Sequence, residues 1–554
     1  MSKWLNLVQD KKQRQQDAIP QDWIVPVPPE TTLDVTAYPE SCGLLTPQDI
    51  AITNASVDVL LMKLAAAEWS SVSVTTAFYK RAIISQQLVN CLTEIFVERA
   101  FARATELDEI LSKTGKVVGP LHGLPISLKD QLCIKGLETT MGYVSWIGKY
   151  AEKNAVLVDI LLECGAVPFV RTNIPQTLMW PETFNNVFGR TTNPYNRSLT
   201  SGGSSGGEGA LVALKGSPLG VGSDIGGSIR IPSALCGLYG LRPSYGRVPY
   251  GGAMNSLEGQ DSVLSVLGPL TSSIGGLKAF MEAVIKAKPW LKDPLAVRKS
   301  WDENEYKLAD HGYGKNLCFA IMWDDGVCIP HPPIKRGLEI VKSALAKAGH
   351  KVIDWVPLKH GLLGEVTRDI WNAGSAEDFM ITASESGEPV ISTMLPDSAE
   401  DIDAPFRPKR AGITAYQLWQ VQKLRKDLRM EYLEHWNATA SQTGTGRPVD
   451  AIICPAAPYA APPHGKNRYT NYTTVWNALD YTASIFPVTS VDPVLDVKQA
   501  PHSFIDDFDK WLYDLYEPEV FKNAPVAIQL VGRTLEEEAV LAMTEIVDAA
   551  LKAH

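Results

Sequence analysis

The stretch GGSSGGEGALVALKGSPLGVGSDIGGSIRIPSALCG, residues 202–237, contains the pattern that decides the fold. It opens on a cluster of glycine and serine, and a second such cluster, DIGGSIR, begins at Asp224. Between the clusters, EGALVALKG predicts a helix and PLGVGS predicts a buried strand. A helix followed by a strand can return the chain to the sheet edge from which it started, so we expect the two clusters to lie side by side.

The second cluster contains the residue types of a main-chain anion site. Glycine lets the backbone approach a ligand closely and adopt positive φ, so four consecutive N–H groups can line one concavity: those of Ile225, Gly226, Gly227 and Ser228. The segment SIRIPSALCG also predicts the start of a helix, with Pro232 in its first turn, and the positive helix end adds to the same field. A tetrahedral oxyanion fits such a concavity, and Ser228 is our candidate nucleophile.

A serine hydroxyl group needs a base before it can attack a carbonyl carbon. The nine histidines form no H-x-x-x-H pair, and most lie in polar, loop-like sequence. Lys129 instead ends an apolar strand, LPISLK, where burial disfavours the ammonium and lowers the pKa of the side chain towards that of a useful base. Asp130 follows directly and would favour a charged lysine if the two paired, although neighbouring strand residues point to opposite faces. Lys129 is therefore the predicted base, and the effect of Asp130 stays open.

With PISLKD upstream, residues 202–237 resemble the amidase signature family, and within it the branch of fungal-type acetamidases and fatty-acid amide hydrolases. The resemblance extends to VGRTLEEEAVL near the carboxyl end. It implies a Ser-cisSer-Lys triad, with Ser228 as the acylated nucleophile, Ser204 as the bridging serine after a cis peptide bond, and Lys129 as the general base. Three further residues are expected to support the site rather than react: Asp224, Arg230 and Ser205.

The same resemblance points to an acyl pocket. Leu178, Met179 and Trp180 lie just after TNIPQ and match the stretch that borders the pocket in the family. Tyr481 in ALDYTASIFPV is a further candidate, and Ser204 completes the predicted substrate-binding set. Ordinary core packing is the alternative for each of the apolar side chains.

The rest of the chain alternates between helical and strand patterns. Residues 56–114 predict three consecutive helices, and residues 534–551 predict a closing amphipathic helix. Of the 554 residues of the chain, 45% are hydrophobic and 21% charged, which is typical of a globular protein with a large core. Since no internal repeat or long linker separates independent modules, we expect an α/β fold: one large α/β/α sandwich with a central mixed β-sheet flanked by helices. Residues 1–55 predict an N-terminal helix and a proline-rich arm, and residues 56–554 the amidase signature domain, most variable over about 285–450.

Charge and cysteine usage exclude several classes of protein. A net charge of −10 offers no basic surface for a nucleic-acid backbone. Charged residues replace the apolar stretch of a secretory peptide in MSKWLNLVQDKKQRQQ, and the eight cysteines are scattered, so we expect a cytoplasmic protein. Lys11, Lys12 and Arg14 predict a solvated helix face. No transmembrane segment, metal site or cofactor is predicted, the expected partner is a small-molecule amide, and a homodimer stays open.

The chain is thus predicted to be a serine amidohydrolase that works through an acyl-enzyme, with small aliphatic or aromatic primary amides as the substrates implied by the resemblance. A long-chain fatty-acid amide hydrolase and an amidotransferase subunit are the alternatives within the family. Outside the family, residues 202–206 satisfy G-x-S-x-G, the motif of α/β-hydrolase esterases. That alternative would use His464 or His502 as the base.

Overall fold

The central feature of the computed structural model, which describes residues 3–391 and 412–554, is a mixed sheet of eleven strands. Four further short strands form two small hairpins. The strands are β1 (Leu92–Ile95), β2 (Pro125–Lys129), β3 (Val167–Thr172), β4 (Phe184–Asn185), β5 (Gly189–Arg190), β6 (Thr192–Asn193), β7 (Asn196–Thr200), β8 (Leu219–Asp224), β9 (Tyr239–Arg242), β10 (Val266–Thr271), β11 (Cys318–Ile321), β12 (Lys351–Asp354), β13 (Ala451–Pro455), β14 (Ala483–Ser490) and β15 (Pro525–Val531).

Helices flank this sheet along most of the chain. The α-helices are α1 (Lys3–Asp17), α2 (Tyr38–Ser41), α3 (Pro47–Thr53), α4 (Val57–Ala65), α5 (Ser71–Val89), α6 (Val97–Thr114), α7 (Val156–Glu163), α8 (Gly206–Ala213), α9 (Arg230–Leu235), α10 (Ile274–Lys286), α11 (Glu303–Tyr306), α12 (Pro332–Lys347), α13 (His360–Asn372), α14 (Ser375–Ser384), α15 (Ala415–Ala438), α16 (Ala440–Thr443), α17 (Asn471–Leu479), α18 (Asp507–Leu515) and α19 (Glu537–Ala553). Among these described helices, none is both long and apolar enough to cross a membrane.

The sheet is mixed in direction and covered on both faces. Its order is β1-β3-β2-β8-β10-β9-β14-β15-β13-β11-β12. The neighbours β3, β2 and β8 run parallel, as do β13, β11 and β12, whereas the other pairs are antiparallel. Every residue of β2, β3, β8 and β10 is buried, which requires helices on both sides. The predicted α/β/α sandwich with a central mixed sheet is confirmed.

Most of the predicted elements lie where the sequence pattern placed them. EGALVALKG contains most of α8, which begins two residues earlier at Gly206, PLGVGS contains most of β8, and the helix predicted after Thr534 is α19. The region predicted as three consecutive helices contains α4, α5 and α6, but β1 lies between the last two. Helical periodicity missed β1 because this edge strand is only four residues long. Within the stretch predicted to be most variable, residues 392–411 lie outside the described residues.

A buried lysine joins the N-terminal helix α1 to the edge of the sheet. Lys11 is 3% exposed, and its ammonium contacts the carboxylates of Glu94 on β1 and Glu138. Arg14 also contacts Glu138, at 3.1 Å. The prediction of a solvated face is therefore wrong at Lys11, although Lys12 is exposed. The local pattern could not show this because both acidic partners are distant in the sequence.

We expect Lys11→Met to loosen α1, because the change removes the central cation between two carboxylates. Breaking one partner of a buried ion pair costs on the order of 3 kcal/mol. Hydrogen exchange measured by mass spectrometry should become faster across residues 3–17. Lys12→Met, on the exposed face of the same helix, is the matched control, and equal exchange in the two variants would contradict the anchoring role of Lys11.

Candidate active site

The strand β2, which ends at Lys129, and the second glycine-serine cluster meet where β2 and β8 reach their carboxyl ends. The parallel neighbours β2 and β8 are in register, with Leu128 paired to Val221. Both strands end at the same edge because they run in the same direction. Lys129 at the end of β2 therefore lies beside Ser223 and Asp224 at the end of β8.

Lys129 is fully buried, and its amine contacts two hydroxyl groups. Nζ lies 2.6 Å from Ser204 Oγ and 2.7 Å from Ser223 Oγ. Burial lowers the pKa of Lys129 well below its usual value, although the charges of Asp224 and Glu208 act in the opposite direction. A neutral amine has a lone pair that can accept a proton from a neighbouring hydroxyl group. The nearest hydroxyl groups to such a lone pair are those of Ser204 and Ser223.

Asp130 is directed away from Lys129. Its carboxylate accepts a hydrogen bond from Thr140 Oγ1 at 2.7 Å and lies 3.4 Å from the Arg171 guanidinium. Burial raises the pKa of Asp130 to about 6, against the effect of Arg171. The question that the sequence left open is therefore answered by side-chain direction: Asp130 pairs with other groups.

The first cluster places its two serines against the second cluster. The peptide bond between Gly203 and Ser204 is cis. The Ser205 N–H donates to the Ser228 carbonyl oxygen at 3.2 Å, and the Ser205 hydroxyl lies 3.3 Å from both the N–H and the carbonyl oxygen of Ser223. Ser228 is 9% exposed whereas Ser204 is 1% exposed. Ser228 is therefore more accessible to a substrate than Ser204 is.

A buried ion pair holds the loop between β8 and α9. The Arg230 guanidinium donates twice to the Asp224 carboxylate, at 2.9 Å each. Burial alone raises the pKa of Asp224, but the charge of Arg230 and the hydrogen bonds from Arg230 and Asn477 together outweigh it, and the pKa falls to about 2. The guanidinium also donates to the carbonyl oxygen of Thr473 and to the side chains of Asn477 and Gln529. The loop is thereby tied to α17 and β15.

One of the four predicted oxyanion donors is already engaged. The Gly227 N–H donates to Asp224 Oδ1 at 2.8 Å. The carbonyl oxygen of the same peptide, that of Gly226, accepts from Thr473 Oγ1 at 2.6 Å and Thr474 Oγ1 at 3.1 Å. Because the loop turns back on itself, this peptide serves the carboxylate that anchors it. The Gly227 N–H is therefore not directed as the sequence analysis expected.

A tryptophan covers the same loop. A Cβ atom built on Gly226 would lie 2.8 Å from the ring of Trp371 on α13. Trp371 is 9% exposed, and its ring nitrogen is buried without a hydrogen-bond partner. The spacing of residues gave no signal for this contact, because α13 lies more than a hundred positions further along the chain.

Glu208 is a buried acidic residue close to Lys129, and the sequence analysis did not identify it. Its carboxyl group accepts hydrogen bonds from Ser127 Oγ at 2.5 Å and Thr172 Oγ1 at 2.9 Å. Burial raises the pKa of Glu208 to about 8, against the hydrogen bonds from Ser127 and Thr172. An acidic residue in the first turn of α8 is what the helix dipole favours, and the pattern was therefore not unusual.

The predicted pocket residues lie in different packing environments. Leu178 is buried, with a positive φ of 63°, an uncommon conformation for a leucine. Met179 and Trp180 are half-buried, and Trp180 packs against Phe184 and Ile391. Leu178 itself lies in an apolar cluster with Met141, Tyr143, Trp146, Ile174 and Met254.

Tyr481 lies apart from the Leu178 cluster. Its ring stacks on Trp476, with centroids 6.3 Å apart, and meets Tyr432 and Trp436 edge to face. The structure does not bring Tyr481 together with Leu178, and its ring has the surroundings of a core residue.

The two histidines of the alternative mechanism have other partners. His464 Nε2 lies 3.2 Å from the Arg197 carbonyl oxygen, and His502 Nε2 lies 2.8 Å from Asp509 Oδ2. Burial lowers the pKa of His464 to about 4. The side chain that contacts Ser204 is Lys129.

Comparisons with known proteins show the family to which this chain belongs. The family model described as Amidase matches residues 73–541. The acetamidase of Aspergillus oryzae is 45% identical over 546 residues, which cover 98% of both chains. The acetamidase of Emericella nidulans is 44% identical over 543 residues, which cover 98% of this chain and 97% of its own.

A solved structure provides an independent comparison. A fatty acid amide hydrolase superposes with a TM-score of 0.90 at 35% identity, covering 99% of this chain and 95% of its own. The expected resemblance is confirmed by sequence and by fold. The chain belongs to the amidase signature family and is an amide-hydrolysing enzyme.

Proposed function

We propose that this enzyme is a serine amidohydrolase that cleaves small aliphatic or aromatic primary amides to a carboxylate and ammonia, using Ser228, Ser204 and Lys129 as a Ser-cisSer-Lys triad. The observation that supports the triad best is the contact of a fully buried lysine amine with Ser204 Oγ at 2.6 Å. An ammonium ion is costly to bury, whereas a neutral amine can accept the proton of a serine.

In the proposed acylation, Ser228 Oγ attacks the carbonyl carbon of the amide. The Ser228 proton passes to Ser204 Oγ while Ser204 gives its own proton to the Lys129 amine. When the tetrahedral intermediate collapses, the C–N bond breaks and the leaving nitrogen receives a proton from Lys129 through Ser204. Ammonia departs, and the acyl group stays on Ser228 as an ester.

Three main-chain N–H groups are proposed to bind the oxyanion, those of Ile225, Gly226 and Ser228. The Gly227 N–H would join them only by leaving Asp224. One donor of this kind contributes about 3 to 4 kcal/mol to transition-state stabilisation in comparable sites.

Hydrolysis of the ester completes the proposed cycle. A water molecule attacks the acyl carbon and gives its proton to Ser204 as Ser204 protonates Lys129. Collapse of the second intermediate returns a proton to Ser228 Oγ and releases the carboxylate. In this scheme Asp224 and Arg230 hold the loop, and Ser205 holds the Ser228 carbonyl oxygen.

Small amides are the proposed substrates because two near full-length relatives are named acetamidases. Long-chain N-acyl amides are a second candidate, favoured by the apolar surroundings of Leu178 and by the fatty acid amide hydrolase neighbour. The esterase alternative has little support, since His464 and His502 have other partners. The cytoplasmic location, the division at residue 55 and the quaternary state stay predictions.

Ser228→Ala is expected to abolish amide hydrolysis and labelling by a fluorophosphonate, because no hydroxyl group remains to be acylated. Peptide mass spectrometry should place the label of the wild-type enzyme on Ser228. His464→Ala and His502→Ala should stay active. A label on Ser204 or Ser205, together with loss of activity in a histidine variant, would favour the esterase instead.

Lys129→Ala should slow acylation by a factor on the order of 10²–10⁴ and remove the part of the pH profile in which the rate rises with pH. Only the neutral amine accepts a proton, so the wild-type rate rises as pH passes upward through the lysine pKa. Burial lowers this pKa against the effect of Asp224 and Glu208, so the rise lies well below the usual lysine pKa of 10.5. Lys135→Ala, at the exposed residue nearby, is the control, and retained activity in Lys129→Ala would remove the lysine from the mechanism.

Leu178→Ala is expected to shift acyl-chain preference towards longer primary amides, because it opens space in the Leu178 cluster. One methylene in an apolar pocket changes kcat/KM by about tenfold or more. Ammonia release from straight-chain amides of graded length measures the shift. Leu512→Ala, in the main core, should lower stability without changing the preference, and a wild-type optimum at long chains would favour the second candidate.

A further inference from the structure

A buried glutamine fixes the direction of the hydrogen bonds around the lysine. Gln131 is fully buried, and its Nε2 donates to the Met254 carbonyl oxygen and to the Tyr250 hydroxyl oxygen, at 2.9 Å each. Its Oε1 accepts from the Ser223 hydroxyl group. Because a carbonyl oxygen can only accept, the NH₂ group must face Met254, and Oε1 must face Ser223.

This direction is passed on to the amine. Ser223 has one hydroxyl proton, which it donates in a hydrogen bond to Gln131 Oε1. Ser223 Oγ is then an acceptor towards Lys129 Nζ at 2.7 Å, so it binds one N–H of the amine. A neutral amine has two N–H groups and one lone pair, and this arrangement leaves the lone pair available to the Ser204 hydroxyl at 2.6 Å.

We infer that Gln131 is a positioning residue that keeps the Lys129 lone pair directed at Ser204 by holding the Ser223 proton away from it. Without the glutamine oxygen, the Ser223 hydroxyl can turn and donate to the lone pair, where it competes with Ser204. This inference rests on the proposed function, in which Lys129 is the base.

The anchor of this network is well held. The Met254 N–H donates to the Gln131 carbonyl oxygen at 2.8 Å, so two hydrogen bonds join these residues. The Met254 side chain packs in the Leu178 cluster. Loss of Gln131 could therefore disturb packing as well as hydrogen-bond direction, and the experiment has to separate the two effects.

The test uses Gln131→Met, which keeps the length of the side chain and removes its hydrogen bonds. The rate of Ser228 labelling by a fluorophosphonate, measured on the full chain, is independent of the substrate. We expect a decrease on the order of 100-fold, the size of effect that misplaced catalytic groups produce. Adding Ser223→Ala should then restore part of the rate, because it removes the competing proton.

A role in packing alone predicts no such rescue, because Ser223→Ala does not restore the packing that Gln131 provided, and the double variant would label no faster than Gln131→Met. Asn193→Leu is the matched control: like Gln131, this buried amide donates two hydrogen bonds, here to the main-chain carbonyl oxygens of Thr200 and Leu235. Its folded form should label at the wild-type rate.

A second variant keeps the test decisive if Gln131→Met does not fold. Gln131→Glu adds a negative charge close to Lys129, alongside the Asp224 and Glu208 carboxyl groups that already act on it. The pH at which labelling is half-maximal should rise by about one unit or more. An unchanged midpoint, or a Gln131→Met rate within about twofold of the wild type, would overturn the inference.

Failure of the inference and failure of the proposed function have different signatures. If Lys129→Ala labels as fast as the wild type, the lysine is not the base, and both fail. If Lys129→Ala is slow while Gln131→Met is unaffected, the triad stands and only the role of Gln131 is overturned.

Discussion

The proposed mechanism depends on an amine that is buried among hydroxyl groups while the neighbouring acids have other partners. Asp224 has the lowest pKa near Lys129, yet Arg230 takes both of its oxygens. Glu208 is held by Ser127 and Thr172, and burial raises its pKa to about 8. Neither acid therefore forms an ion pair with the lysine, which would stabilise the ammonium.

The Asp224–Arg230 pair is a buried ion pair whose role is structural, because it holds the loop between β8 and α9. Desolvating two ions is costly, and such a pair contributes to stability only where further hydrogen bonds satisfy it. Here Asn477 donates to the carboxylate, and Thr473 and Gln529 accept from the guanidinium. These contacts join the loop between β8 and α9 to elements that follow it by some 240 residues or more, so the ion pair fixes the loop that presents Ser228.

The extent to which sequence predicted this site follows from what each residue contacts. Ser228 and Lys129 became candidates because a glycine-rich turn and a lysine that ends an apolar strand are local patterns, whereas Ser204 was added by the resemblance to the family. The role inferred for Gln131 was not predicted, because an amide two residues beyond the lysine has an ordinary local context. Gln131 acts through Ser223, which is 92 positions away in the sequence. Trp371 and Lys11 were missed or misread for the same reason, because their partners come from distant segments. The strand β1 was missed through shortness rather than distance.

Hydrogen-bond direction adds a constraint that distances alone do not give. A hydroxyl group can donate or accept a hydrogen bond. The hydrogen bonds between the Lys129 amine, Ser223 and Gln131 can therefore run in either of two opposite directions at the same interatomic distances. A main-chain carbonyl oxygen has only one role, and the Met254 oxygen at the end of these hydrogen bonds selects one arrangement through Gln131 and Ser223. In the proposed mechanism, the amine is thereby prepared to accept a proton from Ser204 before any substrate arrives, and no reorientation is needed during the reaction.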